Sequence, residues 1–66
     1  MDKKIIGERL RKARGEKTIR QVAQDCGISY SALSMYEIGQ RMPKDSVKVK
    51  LASYYNTSVE ALFFAI

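Results

Sequence analysis

The sequence predicts an all-α fold, a compact bundle of five short helices. Three observations lead there. Apolar residues recur at intervals of three and four along the whole chain, no segment shows a convincing alternation of period two, and glycine, proline and capping residues punctuate the chain at short intervals. With 66 residues the chain is read as one domain, 1–66, whose own core is small.

The first helix is expected from about Lys3 to Arg14, with Ile6, Leu10 and Ala13 on one face and Gly15 as its stop. The second opens at Thr18, where Thr18-Ile19-Arg20-Gln21 reads as a capping box. Its apolar stripe is Ile19, Val22, Ala23 and Cys26, and Gly27 ends it. The third follows Ser29 as N-cap and runs to about Ile38 before Gly39. Its face is divided: Leu33 and Tyr36 point one way, while Ser31, Ser34, Met35 and Ile38 share another side. Arg41-Met42-Pro43 is a connection, because proline disfavours helix in the residue before it. Asp45 is expected to cap a fourth helix that turns Val47, Leu51, Tyr54 and Tyr55 inward and breaks at Asn56. Thr57 or Ser58 caps a fifth, with Val59, Leu62, Phe63 and Ile66 on one face.

Composition excludes several functions. There is no histidine and only one cysteine, Cys26, so a disulfide within the chain is excluded and neither a zinc site nor another cofactor is expected. No signal-like or membrane-spanning apolar stretch is present, and the expected location is cytoplasmic. A nucleophile paired with a base, a glycine-rich phosphate loop and a metal-ligand set are all missing, so an enzyme is not expected. The formal net charge is +5, which on so small a chain suggests an acidic partner. The basic residues lie in two blocks, Lys3 to Arg20 and Arg41 to Lys50, with none between Gln21 and Gln40.

The middle, free of basic residues, holds the informative spacing. Two short helices meet at Gly27-Ile28-Ser29. Small Ala23 sits where two helices can cross closely, and Gly27 turns the chain, expected at positive φ. Val22, Cys26, Ile28, Leu33 and Tyr36 supply the apolar positions that pin two helices at a fixed angle. That pattern is a helix-turn-helix, whose second helix projects from the body.

The chain resembles the Cro/CI-type, XRE-like family of phage repressors and bacterial regulators. The matching residues are Ile6 to Arg14, Val22-Ala23, Gly27-Ile28-Ser29, Leu33-Ser34, and Tyr36-Glu37-Ile38-Gly39 with Arg41 and Pro43; Leu51-Ala52 and Asn56 to Leu62 continue the match. The run Ser34 to Pro43 is its most specific part. Two features depart from the family pattern: Ile19 stands where a glutamine often opens helix 2, and the loop from Arg14 to Thr18 is short.

The resemblance implies a lambda-repressor-like domain that binds double-stranded DNA with its third helix in the major groove. Tyr30, Ser31, Ser34 and Met35 match the positions that face base edges. No arginine or lysine lies on that helix, so apolar and shape readout are expected in place of a bidentate arginine–guanine contact. Lys17, Arg20, Ser29, Gln40, Arg41 and Lys44 are the expected phosphate contacts. Arg14 and Glu37 match a buried structural ion pair of the family. The run Leu62-Phe63-Phe64-Ala65-Ile66 is more apolar than a free terminus should be, so Phe63, Phe64 and Ile66 are expected at a homodimer interface. No membrane and no small-molecule ligand are expected as partners. The resulting expectation is a repressor-like transcriptional regulator on a palindromic operator. A toxin–antitoxin antitoxin, a controller of restriction–modification genes, and an interaction module without DNA binding are the alternatives.

Overall fold

Helix α1, Lys3–Arg14, starts where the Asp2 carboxylate accepts the Lys4 N–H at 2.9 Å. It belongs to a computed structural model that describes residues 2–65. Gly15, at φ 60°, ends it. Helix α2 spans Ile19–Cys26, α3 Tyr30–Glu37 and α4 Asp45–Tyr54, and a π-helical turn, Glu60–Phe64, completes the set. All elements among the described residues are helical. Helix α1 packs on α3 and on the C-terminal turn, while α2 packs on α3 and α4.

The caps decide most boundaries. Thr18 Oγ1 accepts the Gln21 N–H at 3.0 Å, and Ser29 Oγ accepts the Ala32 N–H at 3.0 Å. Each oxygen satisfies one donor that the helix start leaves orphaned. The expected capping box at Thr18 is only half made. Gln21 does not reach back; its amide donates to the Asp25 carboxylate at 3.0 and 3.1 Å, one turn onward. Asp25 offers a charged acceptor on the same helix face, a stronger partner than the Thr18 amide.

Asp45 was expected as the cap of α4, but it is the first helical residue. Lys44 holds the cap position without a side-chain bond. The Asp45 carboxylate instead acts on the helix dipole and lies 3.8 Å from Lys48 Nζ. Asn56 adopts φ 58° and ends the helical run, as an asparagine can. Ser58, rather than Thr57, caps the C-terminal turn, accepting the Ala61 N–H at 3.0 Å. That turn closes through Ala65 N–H to the Glu60 carbonyl at 2.7 Å, a wider ring than an α-helix makes.

The core is Ile6, Leu10, Val22, Ala23, Cys26, Leu33, Tyr36, Leu51, Ala52, Leu62 and Phe63. Two expectations about it change. Ala13 is exposed, because α1 meets α3 through Gly7 and Arg14, which rotates the buried stripe away from Ala13. Phe63 is 0% exposed and fills the core, so it is not available to a partner. The expected inward face of α4 is led by Leu51 and Ala52, with Val47, Tyr54 and Tyr55 half-buried around them.

Candidate nucleic-acid interface

The angle between α2 and α3 follows from the turn. Gly27 takes the left-handed conformation, φ 69° and ψ 32°, which costs a residue with a Cβ but not glycine. The reversal is closed by the Ile28 N–H, which donates to the Ala23 carbonyl at 3.0 Å. Ile28 is half-buried against the core, and Leu33 and Tyr36 are buried on the inner side of α3. Opposite them α3 offers Tyr30 and Ser31, both exposed, and Ser34 and Met35, both half-buried. The four expected base-facing residues therefore share the outer side of one short helix.

The charge on this surface is arranged around α3, not on it. Glu37 is the one charged residue of α3, and its side chain is 4% exposed. Arg14 Nε donates to Oε2 at 2.8 Å and a terminal nitrogen donates to Oε1 at 3.0 Å. This is the two-pronged geometry that guanidinium and carboxylate favour. The other terminal nitrogen of Arg14 donates to the Lys17 carbonyl at 2.7 Å, so one side chain ties α1, α3 and the loop before α2. The hydrogen bond to Glu37 raises the Arg14 pKa above its ordinary value and holds it charged.

Lys17, Arg20, Ser29, Gln40, Arg41 and Lys44 are all exposed. Arg20 shares a groove with Arg14, Thr18, Ile19 and Tyr30, which places a cation beside the start of α3. Gln40 and Arg41 are held behind the end of α3, their N–H groups donating to the Met35 carbonyl at 2.9 and 3.3 Å. The Ser29 hydroxyl already caps α3 through its oxygen. Lys17 is partly committed elsewhere: its ammonium lies 5.6 Å from the Tyr54 ring centre. The Tyr54 hydroxyl donates to Asp25 at 2.6 Å, which links α2 to α4. This bond lowers the Asp25 pKa and pushes that of Tyr54 up to about 12.

Two contributors went unread in the sequence. Gly7 is buried against the backbone of α3, where a Cβ would sit 2.8 Å from the Tyr36 carbonyl oxygen. A glycine in mid-helix, unfavourable by about 1 kcal/mol, was the available signal. Arg11 lines a groove with Arg14, Ile19, Ser34, Glu37 and Ile38, which brings an α1 cation to the far end of α3. Ile19, at the position often held by glutamine in the family pattern, is half-buried and packs on the core. It serves packing rather than polar contact.

A family model described as helix-turn-helix matches residues 8–62, which includes α2, the turn and α3. The chain belongs to the XRE-like helix-turn-helix family. No curated protein and no solved structure matches the chain. Members of this helix-turn-helix family are DNA-binding regulators, typically without enzymatic activity, and this chain is a DNA-binding helix-turn-helix regulator. Among the described residues, no cluster of three or more His, Cys, Asp or Glu could hold a metal ion. No helix among them is long and apolar enough to cross a membrane. Cys26 is buried, and burial raises its thiol pKa, which keeps it protonated and unreactive.

Proposed function

We propose that the chain is a sequence-specific, repressor-like transcriptional regulator of the cytoplasm. It acts as one domain, 1–66, and binds a palindromic operator as a two-fold homodimer. The observation that carries this reading is the outer face of α3: Tyr30, Ser31, Ser34 and Met35, without charge, framed by exposed Arg20 and Arg41. Cations at the rim hold phosphates and set the register, and the uncharged face reads base edges. Lys17, Ser29, Gln40 and Lys44 complete the phosphate contacts, with Lys17 the weakest because of its place over Tyr54.

Dimerisation follows from size. The chain extends 28 × 23 × 22 Å, less than the spacing of about 34 Å between successive major grooves on one side of a duplex. One copy therefore reads one half-site. Phe64, 55% exposed, is the described member of the interface, and Ile66 lies outside the described residues. Lys48 Nζ stands 4.9 Å from the Phe64 ring centre, leaving the opposite ring face for a partner.

Selection of duplexes from a random pool tests the reading. A palindromic consensus bound with a steep salt dependence is expected, with a dimer by light scattering on that duplex. Phe64→Ser is expected to yield monomers with weaker operator binding. Enrichment of no sequence, or a wild-type monomer on the palindrome, contradicts it.

A further inference from the structure

The large hydrophobics exposed among the described residues are Ile5, Tyr30, Ile38, Val49 and Phe64. Two of them, Tyr30 and Ile38, belong to α3 and its cap. Tyr30 is already a base-facing candidate. Ile38 is the most exposed of the five at 62%, and packing does not account for it, since it is absent from the residues lying on the core.

Its position is nevertheless rigid. The Ile38 N–H donates to the Ser34 carbonyl at 3.1 Å, and its backbone sits at φ −90°, ψ 3°. The next residue, Gly39, lies against α1 so closely that a Cβ there would meet the Lys4 side chain at 2.9 Å. A β-branched side chain on a pinned backbone has few rotamers to lose on contact. It opens into the groove lined by Arg11, Arg14, Ile19, Ser34 and Glu37. An isoleucine is thus presented at the end of the DNA-facing helix, beside the exposed Arg11 cation, while Arg14 is held by Glu37.

The partner's chemistry follows from that setting. Helix α3 carries no cation, so strong polar readout of guanine from it is absent. The apolar group that a major groove offers at its base edges is the methyl on C5 of a pyrimidine. We propose that Ile38 is a base-reading residue that recognises a pyrimidine C5-methyl group. This rests on the DNA-binding reading of α3 and extends it by one position beyond the helix. Thymine carries the methyl always, and cytosine carries it at the same place in the groove once methylated.

The test uses the intact protein and its selected operator. Each dT is replaced in turn by dU, and each dC by 5-methyl-dC, and affinities are measured for wild type, Ile38→Ala and Ile38→Ser. Both variants are expected to keep the helical circular dichroism of wild type, because the side chain lies outside the core. If thymine is read, dU at one position weakens wild type about four-fold, the worth of one buried methyl, and leaves the variants unchanged. If 5-methylcytosine is read, its introduction at one position tightens wild type by a similar factor and again leaves the variants unchanged. The proposal is overturned if every substitution affects wild type and variants equally; operator binding then stands without Ile38. Absence of salt-dependent binding to any duplex overturns the DNA-binding reading as well. If Ile38→Ala does not fold, Ile38→Ser carries the comparison, and a wild type indifferent to every methyl overturns the proposal without any variant.

Discussion

Replacing Glu37 with glutamine isolates the contact that ties α1 to α3. The wild-type carboxylate accepts from Arg14 at 2.8 and 3.0 Å, and the glutamate side chain is 4% exposed. Gln keeps the shape and one acceptor oxygen, but its NH2 then faces a guanidinium donor and the charge of Arg14 loses its partner. Breaking a fully buried pair costs about 3–5 kcal/mol. The Arg14 side chain is 17% exposed and keeps its bond to the Lys17 carbonyl, so water and that carbonyl recover part of the loss. A cost of about 2 kcal/mol is therefore expected, with Arg14 the residue that limits it. A domain of this size shifts by about 4–8 °C per kcal/mol, so Tm should fall by roughly 8–16 °C. Thermal unfolding followed by circular dichroism measures this, and a double-mutant cycle with Arg14→Gln should return a coupling energy above about 1 kcal/mol. The fall should persist at high salt, because the pair is shielded from the ions that screen exposed charges. A Tm within 2 °C of wild type, or additive effects in the cycle, would refute the claim that this pair holds the two helices in register.

Three further expectations test other parts of the molecule. Gly7→Ala should destabilise by about 1–3 kcal/mol in denaturant titration despite alanine's better helix propensity, since the new Cβ runs into the Glu37 carbonyl oxygen and lies 2.8 Å from that of Tyr36; a gain in stability contradicts that packing. Arg41→Ala should weaken all duplexes alike and reduce the slope of log K against log salt by about 0.9, the share of one phosphate; an unchanged slope with altered base preference assigns Arg41 to base reading. The Tyr54 pKa is raised from 10.0 to about 12, so its neutral form favours the folded state; that stability is intact below pH 10 and lost as pH rises towards 12. Ultraviolet titration of wild type against Tyr54→Phe should show one late-ionising tyrosine fewer in the variant, where Tyr55, raised by its own burial, still ionises late; two identical profiles shifted only in amplitude would contradict the bond to Asp25.

Local chemistry accounts for what was legible in advance. Thr18, Ser29, Gly15, Gly27, Gly39 and Asn56 act through bonds or backbone angles within a few residues of themselves, so the starts of α2 and α3 and the stops of α1, α2 and α4 were determined by sequence alone. The helix-turn-helix spacing was legible for the same reason: Ala23, Gly27 and Leu33 meet within one short segment. The pairing of Arg14 with Glu37 was reachable only through the family resemblance, since 23 residues separate them and periodicity carries no information at that distance. Other features were decided by tertiary packing. The half-made capping box depended on whether the Gln21 side chain turned back to accept the Thr18 N–H or onward to donate to Asp25, and the rotation of α1 depended on how closely Gly7 lets α3 approach. Phe63 and Phe64 are adjacent and chemically identical, so composition could not say which is buried. The geometry of the C-terminal turn sends Phe63 into the core and leaves Phe64 outside. Exposure of Ile38 is of the same kind. The sequence sets it on the side of α3 shared by Ser31, Ser34 and Met35, but whether another element covers that side belongs to the arrangement of helices and not to any one residue.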